Sequence, residues 1–176
     1  MGAALAERVT FSVGASPARL RWALDVARAA EVPGNAPVSY GAQLVVVCHP
    51  DQQTAMELAM HMAPPLARFQ VIEGKQVGPQ DEEAARNLET VKSGYNMNRH
   101  GVTHAQDRII GGGLLPEFVR EFAIVGPPEH VTQRLLGLMA LGLERFVVVG
   151  PGFYPADWGD AAGLFAREVI PALKAG

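Results

Sequence analysis

Three stretches of the chain are apolar at strand length: Val9-Thr-Phe-Ser-Val13, Val38 to Cys48, and Arg145-Phe-Val-Val-Val149. The latter two hold the runs Leu44-Val-Val-Val47 and Phe146-Val-Val-Val149, without the polar alternation of a sheet that faces water. Such runs predict parallel strands covered on both faces. A helix start follows each one. After the first, Ser16 stands at an N-cap and Pro17 at the first helical position, where a missing N–H costs little. Leu20, Ala23, Leu24 and Ala27 then repeat at helical spacing, predicting a helix over 17–30. After the second, Asp51 is placed to cap a helix carrying Ala55, Leu58, Ala59 and Met62. Gly126-Pro-Pro-Glu129 opens another, with Val131, Leu135, Leu138 and Met139 on one side, and a last helix over 161–173 carries Ala162, Phe165, Val169 and Leu173.

The order is strand, helix, strand, long helical insert, helix, strand, helix, which is the grammar of a parallel α/β fold. The insert, about 52–126, shows no credible strand, and Pro64-Pro65 and Glu73 to Gln80 are expected to break it into helical pieces. Its composition does not shift, so residues 1–176 read as a single domain. A complete (β/α)8 barrel has eight strands and typically about 250 residues. Three strands therefore suggest part of one. Ala3-Ala-Leu-Ala6 running into the first strand without a cap points the same way.

Composition narrows the function classes. With 48% hydrophobic residues, 176 residues can bury a proper core. A net charge of −3 leaves no basic footprint for nucleic acid. No apolar run approaches the roughly 20 residues of a membrane helix. The single cysteine, Cys48, excludes an intramolecular disulfide and fits a reducing, cytoplasmic setting.

Several segments resemble one family. Leu5 to Gly14 looks like the sixth-strand region of luciferase-like oxidoreductases, and Gly41 to Asp51 like their seventh strand. Tyr95-Asn-Met-Asn-Arg-His100 resembles part of the insert that follows. Most specific are Phe122-Ala-Ile-Val-Gly-Pro-Pro-Glu-His130 and Leu141 to Gly152, similar to the family's last helix start and eighth strand. The resemblance covers the chain but only the family's C-terminal half, and within the family it leans toward deazaflavin-dependent reductases. It implies a partial TIM barrel of about three parallel strands, the last three of eight. It also implies hydride transfer or monooxygenation of a small organic substrate, with FMN or the deazaflavin coenzyme F-420. Most cofactor contacts in that family come from strands one to five, so the chain alone is expected to bind no cofactor and to be inactive. A homo-oligomer, or a complementary N-terminal-half chain, is the expected partner. The alternative is a non-catalytic truncated barrel that associates with itself or with a partner; a weaker third is an independent small-molecule binder.

In parallel barrels the functional residues stand where strands end. Those ends offer Ser12 and Gly14 beside a helix N-terminus that favours anions, then His49, then Gly150 and Gly152. His49 is the best single candidate for an acid or hydrogen-bond donor. Against this, it lacks a visible catalytic partner, and packing under the insert explains it as well. Tyr95 and His100 would line a substrate pocket in an intact relative, or simply belong to the insert. His100 and His104 are four apart, but Gly101-Val-Thr103 between them is poor helix material, so no metal site is expected. Gly111-Gly-Gly113 follows no strand and reads as a connector. Cys48, at a strand end without basic neighbours except His49, reads as inert packing.

Overall fold

The computed structural model describes residues 2–67, 70, 77–94, 115–150 and 160–175. Its centre is strand β2 (Ser39–Cys48), which pairs in parallel with β1 (Arg8–Phe11) and with β4 (Arg145–Val149). Thr10 and Arg145 both register against Gly41, and Phe11 and Phe146 both against Ala42, so β2 runs between the two. This is the parallel three-strand arrangement expected from the apolar runs. The helices are α1 (Gly2–Leu5), α2 (Pro17–Arg28), α3 (Gln52–Ala67), α4 (Glu82–Gly94), α5 (Pro116–Phe122) and α6 (Pro128–Met139). A last helix runs from Ala161 to Ala175 as α7 (Ala161–Leu164), a π-helical stretch Phe165–Val169 and α8 (Ile170–Ala175).

One expectation fails outright. A further parallel strand, β3 (Ile124–Gly126), lies in the stretch that looked strandless. At three residues it is too short to show a period. Its role is to extend pairing along β2: the ladder to β4 ends at Val45, and β3 takes over Val46 to Cys48. The first strand also ends sooner than its sequence suggests, at Phe11 rather than Val13. Beyond it, groups of the insert bond the backbone instead: Gln70 Nε2 donates to the Val13 carbonyl at 3.1 Å, and the Ala15 N–H to the Phe122 carbonyl at 2.8 Å.

Alternation along β2 builds two cores. Tyr40, Ala42, Leu44, Val46 and Cys48 pack with α2, α6 and the terminal helix through Leu20, Leu24, Leu135 and Val169. Val45 and Val47 point the other way, onto Ala55, Ala59 and Met62 of α3, with Leu88, Val119 and Phe122 behind. Burial on both faces is why the strand reads as a continuous apolar run. The side of α2, α6 and the last helix takes Phe11, Leu44, Val46, Phe146 and Val148, and Leu44 and Val46 are fully buried. Among the described residues, what stays open is the amino-terminal half of the opposite face, where Val147 is 49% exposed. Among the described residues β1 and β4 each pair with β2 alone, leaving two unpaired edges.

The double proline does not break α3 where the sequence suggests; the helix continues through Pro64 and Pro65 to Ala67. A proline forfeits one intrahelical bond, and here the loss falls in the last turn. Ala63, Leu66 and Ala67, buried in the core, hold that turn in place.

Asp51 caps α3 as its position promised, accepting the Thr54 N–H at 2.7 Å. That bond, first among the causes, holds the Asp51 carboxyl below its ordinary range. A carboxylate with a depressed folded pKa stabilises above its unfolded value, about 3.9, and loses that effect as pH falls through the folded value. The Asp51→Ala variant is therefore expected to melt a few degrees lower at pH 7. The gap should close as pH drops below about 4 in thermal melts by circular dichroism. A gap that persists in strong acid would assign the loss to something other than the cap.

Candidate functional site

The carboxyl end of β1 leads through Val13 and Gly14 into the first turn of α2, and the insert arches over this point. Between them lies a cleft of about 370 Å³, within the usual range for small-molecule sites. Its apolar wall comes from Val13, Ala84, Leu88, Phe118 and Phe122. The last two rings stack at 5.4 Å between centroids. Its polar wall is Ser16, Arg19 and Glu121, with Gln70, Gln80 and Asp81 at the insert side.

Two of those polar residues are buried, Ser16 at 3% and Arg19 at 9% exposure. Ser16 holds the N-cap position of α2 with extended backbone, but its hydroxyl makes no capping bond. It donates to Glu121 Oε1 at 2.6 Å instead. A carboxylate of the chain's own thus stands by the first turn of α2, where a negative charge is favoured. Arg19 reaches the insert backbone, Nη1 to the Pro79 carbonyl at 3.0 Å and Nη2 to the Val77 carbonyl at 3.1 Å. Between those anchors Gly78 has φ +87°, and a Cβ there would stand 2.6 Å from the Trp22 ring. Burial lowers the Arg19 pKa, and Glu121 opposes the shift; Arg134 is affected in the same way. Glu121 therefore lies in the field of two guanidinium groups. Asp81 caps α4 through the Ala84 N–H at 2.7 Å.

The strand-end residues singled out by sequence do not gather into one site. Gly14 is buried at the rear of this region with φ +81°, against the Phe122 ring. Ser12 is half-buried and does not line the cleft. His49 directly follows β2, where its Nδ1 accepts the Asp51 N–H at 3.0 Å and its backbone N–H donates to the Gly126 carbonyl at 3.0 Å. Its visible work is shaping the entry to α3. Gly150 directly follows β4, buried with φ +142°. Gly152, Tyr95, His100, His104 and Gly111 to Gly113 lie outside the described residues. Cys48 is buried, and burial together with Glu168 and Glu129 pushes its thiol up to about 11, so it is a poor nucleophile at neutral pH. No three metal-ligating side chains cluster among the described residues.

Sequence reasoning missed Arg19 and Glu121 as site residues. Arg19 gave one signal: it interrupts the apolar side of α2, directly before Leu20. Glu121 gave none, because its relation to Ser16 spans 105 residues.

No protein-family model matches the chain, and no curated protein matches it. Solved structures do. The coenzyme F-420-dependent tetrahydromethanopterin reductase of Methanopyrus kandleri aligns over 96% of this chain and 46% of its own, at 17% identity and TM-score 0.61. Riboflavin lyase, solved with modified FMN and riboflavin, aligns over 97% and 39%, at 17% identity and TM-score 0.50. The oxygenating constituent of 3,6-diketocamphane monooxygenase from Pseudomonas putida, with FMN, aligns over 94% and 42%, at 20% identity and TM-score 0.48. The chain spans less than half the length of each. The likeness is one of fold: a parallel β/α arrangement that matches part of the reductase.

Proposed function

We propose that this chain is the C-terminal portion of a luciferase-like flavin- or deazaflavin-dependent oxidoreductase. Hydride transfer or monooxygenation of a small organic substrate would take place at the carboxyl ends of its strands. The observation that carries the reading is the cleft at the carboxyl end of β1, on a parallel sheet of this fold, because barrel sites form at that end. The described cleft does not fit the phosphate of a cofactor, since two carboxylates line it and its one guanidinium has both terminal nitrogens on insert carbonyls. FMN or F-420 is accordingly assigned to the complementary half, and this chain alone binds neither. A cytoplasmic location suits the free thiol of Cys48; among the described residues no helix is long and apolar enough to cross a membrane.

The test is a fusion. Placed behind strands one to five of a luciferase-like barrel, the chain is expected to give a protein that holds FMN or F-420, seen by absorbance. The chain by itself should show no binding of either at micromolar concentration. A fusion that folds cooperatively yet stays colourless with both would sink the proposal.

A second reading has one observation behind it. Both faces of β2 are covered from within this chain, which suits a non-catalytic remnant that associates through its open edges. Either reading leaves β1 and β4, among the described residues, with no strand on their outer edges, which invites another chain. Light scattering at micromolar concentration is expected to give a homodimer or larger, or a complex with a complementary half. A stable monomer of 18.8 kDa would refute the association.

A further inference from the structure

We infer that the strand-end cleft takes an uncharged organic ring compound bearing a hydrogen-bond donor, and excludes anionic ligands. The inference rests on reading this cleft as the substrate side of the site, and it adds what kind of molecule fits. Three features lead there. First, the anion position at the start of α2 is already filled from within: Ser16 turns its hydroxyl to Glu121 at 2.6 Å rather than to its own helix. An incoming phosphate or carboxylate would meet that charge. Second, both terminal nitrogens of the one guanidinium on the wall are engaged. Arg19 spends Nη1 and Nη2 on the carbonyls of Pro79 and Val77, and its Nε is buried without a partner among the described residues, so the group serves as a strap for the insert rather than as a fork turned to the cleft. Against it stand two carboxylates, Glu121 and Asp81, leaving the lining with one more negative than positive group.

Third, the remaining wall suits a flat apolar body. The stacked rings of Phe118 and Phe122, with Leu88 and Val13, line a space large enough for a small fused-ring compound. The Glu121 carboxylate is the acceptor in that wall. A ligand N–H or O–H directed at it would gain a charge-assisted hydrogen bond, the stronger kind in a partly buried site.

A matched pair of fluorescent probes tests this on the chain alone. N-phenyl-1-naphthylamine is neutral with one N–H; 8-anilinonaphthalene-1-sulfonate has the same ring system and an added sulfonate. The neutral probe is expected to bind with a blue-shifted, enhanced emission, and the sulfonate at least about 10-fold more weakly, the effect of one adverse charge contact in a partly buried site. Glu121→Gln keeps an acceptor for Ser16 and removes the charge, so it should narrow that difference by strengthening the sulfonate. Ala18→Trp, at an exposed position on the rim, should abolish binding of the neutral probe while the thermal melt stays unchanged. If that variant is destabilised, Ala84→Trp on the opposite wall makes the same measurement. Equal affinity for the two probes, or neutral-probe binding that survives a folded, cleft-filling variant, overturns the inference. Neither result touches the barrel proposal, which the fusion decides separately.

Discussion

Gly14→Val is expected to be among the most damaging single substitutions in the chain. Gly14 has φ +81°, a conformation that a β-branched residue adopts only under strain. That strain costs about 1–3 kcal/mol. A Cβ at this position would also stand 2.6 Å from Phe122 Cδ2 and 3.2 Å from the Phe122 carbonyl oxygen. Phe122 cannot retreat, because it is buried in the second core and its carbonyl accepts the Ala15 N–H. Overpacking of this kind adds about 1–3 kcal/mol. Together the two terms come to about 2–6 kcal/mol, enough to reach the lower end of a typical stability of about 5–15 kcal/mol. Urea titration of Gly14→Val and of Gly14→Val with Phe122→Ala separates them. The second change should relieve the ring clash and leave the backbone strain. Equal midpoints for wild type and Gly14→Val would show that the turn does not hold this geometry.

The sequence made the large features legible and hid the local ones for identifiable reasons. The runs around Leu44 to Val47 and Phe146 to Val149 announced buried parallel strands, because a strand covered on both faces has no polar side to show. The helix at Pro17 was legible because proline and the spacing of Leu20, Ala23 and Leu24 are local signals. The strand at Ile124 to Gly126 escaped because three residues carry no period. Pro64 and Pro65 misled because the helix ends only two residues beyond them, and the burial of Ala63, Leu66 and Ala67 outweighs the bonds they forfeit. The cleft was out of reach for a different reason. Ser16 with Glu121, and Arg19 with the carbonyls of Val77 and Pro79, are partners some 60 to 105 residues apart. Only the fold brings them together, and Ser16, correctly placed at a helix start, does not use its side chain as a cap.

Leu44→Ala is the second large effect, and Val147→Ser is its counterpart. Leu44 is fully buried near the middle of β2, opposite Val148 of β4 and in one core with Leu20 and Leu24 of α2. Its truncation is expected to cost about 2–5 kcal/mol, the range for removing a buried leucine side chain. Val147 lies on the face left open among the described residues, 49% exposed. On the chain alone Val147→Ser should change stability by less than about 0.5 kcal/mol, as for an ordinary surface position. In a fused, completed barrel that face points inward, and the same substitution should become clearly destabilising. Denaturant midpoints for both variants in both contexts measure this. A Val147→Ser cost that is large in the chain alone would mean the face is already covered there.

The position of β2 between its neighbours also sets an order of assembly. Its pairing with β1 closes a loop of about thirty residues, whereas its pairing with β4 closes one of about a hundred, and loops of greater span form more slowly. The unit of β1, α2 and β2 is therefore the natural nucleus. Mutations at Leu20 and Leu24 should slow folding, while those at Phe146 and Val148 should mainly speed unfolding. Until β4 docks, one long side of β2 stays open to any strand that arrives first, so the interval before docking is when this chain is most exposed to the wrong partner.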